Sequence, residues 1–280
     1  DYKSVDLMFA VAEMREKKSA EEIEEMERAF QIGYKMHTLA MKMCRPGVVE
    51  REIAGAIEGI AKSYGSGVSF PSIVSQHGET LHNLNSEGVL ADGRLLLVDA
   101  GGENLMNYCS DHTRTYPVSG RFTAQQREIY DIVLESLETA LKLYRPGTSI
   151  CQVNQEVVRI MITGLVRLGI LKGEIDELIA NNAHRPYFMH GLSHWLGLDV
   201  HDVGNYDTDR SRVLEPGMVL TVEPGLYIAT DADVPAQYRG IGIRIEDDIV
   251  ITEDGNENLT AGVVKKADEI EALMAAARQS

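Results

Sequence analysis

The chain has only three cysteines and no long hydrophobic run. Cys44, Cys109 and Cys151 are an odd number without a Cys-x-x-Cys spacing, which argues against a disulfide framework and against a thiolate metal site. A membrane-spanning helix needs roughly 18 consecutive apolar residues, and no such stretch is present. A basic segment followed by a short apolar one, typical of a signal peptide, is also missing. We therefore expect an intracellular, cytoplasmic protein with reduced thiols.

Basic residues are scarce as well. The sequence has 27 Lys and Arg against 43 Asp and Glu, which gives a formal net charge of -16. Nucleic acids and anionic membranes bind clustered Lys and Arg, so neither is an expected partner. With 44% hydrophobic residues over 280 positions, the chain can bury a substantial core and is not disordered. An acidic enzyme or binding protein fits this composition.

Two apolar runs each begin at a glycine and end at a carboxylate, Asp99 in the first and Glu223 in the second. Short apolar runs bounded by turn residues predict buried strands. A carboxylate at the end of a buried strand needs a partner or a metal, because its burial alone is costly. A second acidic residue follows each run, Asp111 and Glu246 respectively. The chain thus uses one arrangement twice.

Other features repeat in the same order. The motif Arg-Pro-Gly occurs at 45–47 and at 145–147, each time between two amphipathic segments. We interpret the chain as one domain, 1–280, with two pseudo-symmetric halves, 19–120 and 121–280. Residues 1–18 are expected to be a linker from a missing N-terminal domain.

Capping signals and apolar spacing predict five helices and leave the intervening runs as strands. The predicted fold class is α+β, with helices covering one face of a sheet whose other face holds the site. The expected helices run from about 20 to 44, 50 to 64, 124 to 144, 152 to 168 and 174 to 180. Strands are expected at 69–75 and 242–250, with others ending near Asp99 and Glu223 and one bearing Asp111.

Four buried carboxylates without counter-charge would repel one another strongly, whereas two divalent cations would balance them. The run from 190 to 201 adds His190, His194 and His201 as candidates. Oxygen ligands with one imidazole suit Mn²⁺ best, with Co²⁺, Fe²⁺ and Zn²⁺ as alternatives. Two metals about 3.5–4 Å apart can share a bridging water, lower its pKa and polarise a carbonyl. This chemistry is typical of amide hydrolysis.

Several motifs resemble those of the pita-bread metallopeptidases, and within them the Xaa-Pro aminopeptidases. The resemblance implies the pita-bread fold, a curved antiparallel sheet in two pseudo-symmetric halves covered by helices. The matching blocks are Asp99-Ala-Gly, Ser110-Asp-His-Thr-Arg-Thr, His190-Gly-Leu-Ser-His-Trp-Leu-Gly, Val200-His-Asp-Val-Gly, Val222-Glu-Pro-Gly and Gly242-Ile-Arg-Ile-Glu-Asp.

The resemblance also implies a ligand set. Asp99 would chelate one metal, and His194 and Glu223 would hold the other. Asp111 and Glu246 would bridge the two ions. Glu223 would in addition carry a proton from the attacking water.

The remaining site residues are implied in the same way. His190 and His201 would bind the substrate carbonyl or stabilise the tetrahedral oxyanion. His82 would bind substrate, and Arg244 would help to form a proline pocket with His82 and His201. Tyr206 lies where a further pocket residue is expected. Arg244 lies two residues before the last ligand, so on a strand both side chains share one face.

The function implied is hydrolysis of the N-terminal Xaa-Pro bond by a metal-bridging hydroxide, in a homodimer or larger homo-oligomer acting on peptides with proline in the second position. A prolidase, which cuts only dipeptides, would share every ligand. A metal-free pita-bread binding module or a creatinase-like, metal-free hydrolase would not need five ligands in register. Methionine aminopeptidase fits the stretch 190–201 and Arg244 less well.

Each residue also has a structural interpretation when it is taken alone. Asp111 could form an Asx-turn, Glu246 could belong to a solvated acidic run, and each histidine could be a structural residue. The repeat favours the metal-site interpretation over these.

Overall fold

A computed structural model describes residues 4–279 of the chain. The helices are α1 Val5–Glu16, α2 Ala20–Met43, α3 Glu50–Tyr64, α4 Ala124–Leu143, α5 Ile150–Arg167, α6 Ile175–Ala180 and α7 Ala267–Gln279. The strands are β1 Gly67–Val68, β2 Ile73–Ser75, β3 Leu95–Asp99, β4 Gly102–Glu103, β5 Thr113–Pro117, β6 Val219–Val222, β7 Gly225–Tyr227, β8 Gly242–Arg244, β9 Asp247–Ile251 and β10 Asn256–Asn258.

The helix ends follow local chemistry. The Ser19 hydroxyl accepts the backbone N–H of Glu22, and the Glu22 carboxylate accepts the backbone N–H of Ser19, so α2 begins with a capping box. Reciprocal caps also open α4 at Thr123 and α5 at Ser149. The two Arg-Pro-Gly motifs follow α2 and α4. The five predicted helices are confirmed, with ends within two residues of those expected.

The two halves have the same layout. In each, a pair of packed helices (α2 with α3, α4 with α5) contacts a small antiparallel sheet. The first sheet has the order β2-β3-β5 and the second the order β10-β9-β6. The interface between helices and sheets is fully buried and apolar, with Met36, Ile57, Leu96, Tyr130 and Met161 among its residues. The α+β class with antiparallel sheets is confirmed.

A bridge between Thr113 and Glu246 joins the halves. Thr113 opens β5 of the first half, and Glu246 lies between β8 and β9 of the second. Because both residues belong to motifs predicted to carry the site, the junction of the halves is also where the functional side chains meet.

Three local expectations need correction. The strand expected at 69–75 is regular only over Ile73–Ser75, and the one expected at 242–250 is interrupted at residues 245–246. Asp111 lies two residues before β5 and not on it. Helix α1 lies within the segment 1–18 for which a linker is predicted; residues 1–3 lie outside the described part, and the linker stays a prediction. Within residues 4–279 no helix is both long and apolar enough to cross a membrane.

Candidate active site

Strand pairing brings the predicted carboxylates to one place. Asp99 is the last residue of β3, and its partner across the ladder is Thr113 at the start of β5. The carbonyl of Thr113 accepts the backbone N–H of Glu246 at 3.0 Å. β6 ends one residue before Glu223, where it pairs with the start of β9, one residue after Glu246. The ends of two sheets therefore point at a common centre.

Asp111, His194 and Glu246 offer ligand atoms that all lie within 4.8 Å of one another. His194 Nε2 is 3.4 Å from Asp111 Oδ2 and 3.6 Å from Glu223 Oε1. The other ring nitrogen, Nδ1, is 3.0 Å from the carbonyl oxygen of Trp195. A carbonyl can only accept, so Nδ1 carries the proton and Nε2 presents its lone pair to the carboxylates. This is the tautomer that binds a metal through Nε2.

The carboxylates also perturb one another. Burial, with the nearby charges of Asp99 and Glu223, raises the pKa of Asp111. Burial and the charge of Asp111 raise the pKa of Glu246. Burial and the charge of Glu246 raise the pKa of Glu223 to about 8. Among the described residues, the buried Asp99 Oδ1 has no hydrogen-bond partner. A cluster short of positive charge, with a free carboxylate oxygen and an oriented imidazole, fits divalent cations.

The second oxygen of Asp99 is held by Arg244, whose Nη2 lies 2.5 Å from Oδ2. Arg244 is fully buried, and its other nitrogens donate to the hydroxyls of Thr113, at 3.1 Å, and Tyr227, at 2.8 Å. The Thr113 hydroxyl in turn donates to Glu246 Oε2 at 2.6 Å. One guanidinium thus fixes ligands from both halves. Every donor nitrogen of Arg244 is directed at a protein oxygen.

His190 is held by the same network. Its Nδ1 is 2.8 Å from the carbonyl oxygen of Gly191, and its Nε2 is 2.8 Å from the Tyr227 hydroxyl. Burial and the charge of Arg244 lower the pKa of His190 to about 4. The imidazole is therefore neutral near pH 7, donates from Nδ1 and accepts at Nε2. Its Nδ1 also lies 3.7 Å from Glu223 Oε2.

Tyr227 and Thr113 are site residues that sequence reasoning missed. Tyr227 joins His190 to Arg244 through one hydroxyl, and burial raises its pKa. A signal was available, because Tyr227 lies in the short strand that directly follows the Glu223 motif. Thr113 belongs to the motif that begins at Ser110, of which only Asp111 was predicted to be a site residue.

The carboxylates and His194 line a cavity of about 290 Å³, whereas Arg244, His190 and Tyr227 are not among its lining residues. Its polar side is formed by the five predicted metal ligands with His82 and His201. Burial lowers the pKa of His201, and its ring lies 4.3 Å from that of His194, centroid to centroid. The other lining residues are apolar: Phe70, Pro71, Ile73, Leu84 and Val200. The cavity lining thus includes both charged and apolar residues.

Tyr206 is not among the residues that line this cavity. Its hydroxyl accepts the backbone N–H of Trp195 at 2.8 Å, and its ring stacks on the Trp195 indole at 5.3 Å. The guanidinium of Arg210 covers the Tyr206 ring at 4.8 Å. Tyr206 thus contacts Trp195, the neighbour of His194, and not the cavity. The tyrosine that contacts site residues is Tyr227.

Comparison with known proteins gives a consistent result. A sequence profile of Metallopeptidase family M24 matches residues 24–253. The Xaa-Pro aminopeptidase of Escherichia coli (strain K12) is 64% identical over 278 residues, which cover 98% of this chain and 63% of that protein. The Xaa-Pro aminopeptidase of Haemophilus influenzae is 51% identical over 267 residues, or 94% of this chain and 62% of that protein.

Solved structures agree. Aminopeptidase P from E. coli with the inhibitor Pro-Leu superposes with a TM-score of 0.94 at 63% identity, covering 98% of this chain and 63% of that one. A zinc-substituted form of the E. coli enzyme in complex with product also gives 0.94, at 64% identity, and covers 97% and 62% of the two chains. The present chain spans less than two thirds of the length of these relatives.

Proposed function

The chain belongs to metallopeptidase family M24, and from that membership we propose that it is a metal-dependent aminopeptidase that hydrolyses the bond between an N-terminal residue and proline. The observation that supports this best is that four carboxylates and His194 line one cavity, in which His194 Nε2 faces Asp111 and Glu223. The names of the relatives, Xaa-Pro aminopeptidase, indicate the substrate class.

We propose that two divalent cations bind in this cavity and that the metal is Mn²⁺. Asp99 would hold one, His194 and Glu223 would hold the other, and Asp111 and Glu246 would bridge them. When bound, such a pair supplies an activated water and a Lewis acid for the scissile carbonyl. The free oxygen of Asp99 and the tautomer of His194 fit these roles.

The protein groups would perform the remaining tasks. Glu223 lies beside both His190 and His194, and this position makes it the proposed acceptor of the proton from the attacking water. No hydrogen bond within residues 4–279 occupies the imidazoles of His82 and His201, which line the cavity and would donate to the substrate carbonyl or the oxyanion.

The proline ring of the substrate would pack on the apolar residues that line the cavity. Of the residues proposed for the proline pocket, Arg244 uses its donors on Asp99, Thr113 and Tyr227. Because Arg244 is buried and does not line the cavity, its contribution to substrate binding would come through the position of Asp99. Tyr206 would influence the pocket only indirectly, through its contact with Trp195 next to His194.

We further propose one catalytic domain in two halves, acting in the cytoplasm as a homo-oligomer, with residues 1–18 as a linker. The three cysteines are free thiols, which suits a reducing compartment. The halves share the site at the Thr113–Glu246 junction, which supports treating them as one unit.

The proposal is tested by offering Ala-Pro-Ala and Ala-Pro to the purified chain with Mn²⁺, with a chelator control and Ala-Ala-Ala as the matched non-proline peptide. Release of alanine from Ala-Pro-Ala alone among the tripeptides, abolished by the chelator, would support an Xaa-Pro aminopeptidase. Cleavage restricted to Ala-Pro would make the chain a prolidase. No cleavage of any of them would contradict a catalytic role for this chain and favour a binding module.

A further inference from the structure

His82 enters the cavity on a strained turn. The loop 76–88 leaves β2, passes through a short 3₁₀ turn at Gly78–Thr80 and then reverses at Leu81. Leu81 has φ 64° and ψ -72°, and the backbone N–H of His82 donates to the carbonyl of Thr80 at 2.9 Å. This is a γ-turn centred on a non-glycine residue at positive φ, which is a rare and costly conformation. Such a turn persists only where the surrounding structure holds it.

The side chain that holds both ends of this loop is Glu50, the first residue of α3. It is 1% exposed, and its Oε1 accepts the backbone N–H of Gln76 at 2.7 Å. Its Oε2 accepts the backbone N–H of Gly88 at 3.0 Å. In return, the backbone N–H groups of Glu50 and Arg51 donate to the carbonyls of Gly88, at 2.9 Å, and Ser86, at 2.8 Å. The first turn of α3 and the loop thus satisfy each other's free backbone groups.

The carboxylate is used for this purpose alone. Within the described part of the chain, Glu50 pairs with no cation, and its charge is stabilised by the two N–H groups and by the positive end of the helix dipole. The fit is close, because a Cβ added at Gly88 would lie 2.8 Å from Glu50 Oε1. The loop backbone and the carboxylate are therefore shaped to each other.

We propose that Glu50 is a positioning residue for substrate binding, which closes the loop 76–88 at both ends and so fixes the strained turn that presents His82 to the cavity. This inference rests on the proposed function, in which His82 binds substrate. It predicts that Glu50 influences the reaction through His82 and not through the proposed metal ligands.

The variant Glu50→Gln tests the proposal with little change in shape. A carboxylate can accept from Gln76 and Gly88 at once, whereas an amide offers one oxygen and turns an NH₂ group toward the other donor. Glu52→Gln is the matched control, because Glu52 lies in the same first turn, carries the same charge and is exposed. We expect Glu50→Gln to lower kcat/KM on Ala-Pro-Ala about tenfold or more, mainly through KM, and Glu52→Gln to change it less than about twofold.

A double-mutant cycle separates positioning from a general structural effect. If Glu50 acts through His82, Glu50→Gln changes kcat/KM by less than about twofold when His82→Ala is already present. An equal loss in both backgrounds would overturn the proposal. Bound metal, measured by elemental analysis, should equal that of the parent in every variant.

Amide hydrogen exchange of the loop gives a readout that does not depend on activity. Segment 77–87 should exchange about tenfold faster in Glu50→Gln than in the parent or in Glu52→Gln. If Glu50→Gln does not fold, Gly88→Ala perturbs the same contact and should speed exchange in the same segment. Unchanged exchange would refute the positioning role. A parent without peptidase activity would instead refute the proposed function, and the exchange result would still decide whether Glu50 holds the loop.

Discussion

The ion pair between Arg114 and Asp247 holds the backbone next to the proposed metal ligands, and its removal should lower the free energy of unfolding by an amount that can be estimated. Both side chains are fully buried, and Arg114 Nη2 lies 2.7 Å from Asp247 Oδ1. Arg114 Nη1 also donates to the carbonyls of Thr113, at 2.9 Å, and Glu246, at 2.6 Å. The pair therefore fixes the backbone of the bridge between the halves. Asp247→Asn would leave the guanidinium buried without its counter-charge.

The magnitude follows from the pKa of Asp247. Although burial alone would raise it, Arg114 and then Lys265 lower this pKa from 3.8 to about 2. This difference in the pKa of Asp247 between the unfolded and folded states corresponds to about 2 kcal/mol of folding stability at pH 7. Breaking a buried pair from one side costs about 3–5 kcal/mol. We expect Asp247→Asn to lower the free energy of unfolding by about 2–5 kcal/mol at pH 7.

The sign of the pH dependence is fixed because the pKa of Asp247 is depressed in the folded state. Its contribution is fully present above the unfolded pKa near 3.8 and is lost as the pH falls toward 2. Urea unfolding of metal-depleted parent and variant at pH 7 and at pH 3 measures the difference directly. Glu257→Gln, an exposed change on β10, should stay within about 0.5 kcal/mol of the parent. A parent–variant difference that does not shrink at pH 3 would refute the reasoning.

Three other predictions concern the cavity. Tyr227→Phe should lower kcat/KM about 10- to 100-fold with unchanged metal content, because it leaves Arg244 and His190 without a shared partner; metal loss in elemental analysis would contradict this. Asp111→Ala should abolish metal binding and nearly all turnover, whereas His201→Ala should retain metal and lose rate, and the opposite pattern would make the ligand set wrong. Chelation should lower Tm in calorimetry, and Mn²⁺ at 100 times its Kd should restore about 2.7 kcal/mol per site; a Tm independent of Mn²⁺ would argue against this metal.

Much of the fold follows from local signals. Ser19, Thr123 and Ser149 start helices because their hydroxyls satisfy free N–H groups, and the Arg-Pro-Gly motifs end them because proline cannot continue the hydrogen-bond ladder. The carboxylates at the ends of apolar strands were also predictable, because a short apolar run bounded by turn residues predicts a buried strand. Local signals did not predict the interruption near Ile245, because it depends on how the chain passes from pairing with β7 to pairing with β6.

The choice between two tyrosines shows where sequence reasoning stops. Tyr206 and Tyr227 are both close in sequence to predicted ligands, and nothing in their neighbours distinguishes a hydroxyl that reaches a backbone N–H from one that reaches Arg244. The difference arises because β7 pairs with β8, which brings Tyr227 to the same sheet as Arg244. Tertiary pairing of this kind is not encoded in either segment alone.

The position of the site at the junction of the halves has an energetic reason. Each half contributes two carboxylates, and already within the first half burial and the charge of Asp99 raise the pKa of Asp111. Within the second half, burial and the charge of Glu246 raise the pKa of Glu223. At the junction they face one another, and the only protein cation in direct contact with them is, among the residues that the structure describes, Arg244 on Asp99. The raised pKa values of Asp111, Glu223 and Glu246 express the remaining imbalance. An assembly of buried carboxylates is unfavourable without added positive charge, and the proposed divalent cations would supply that charge at the junction of the halves.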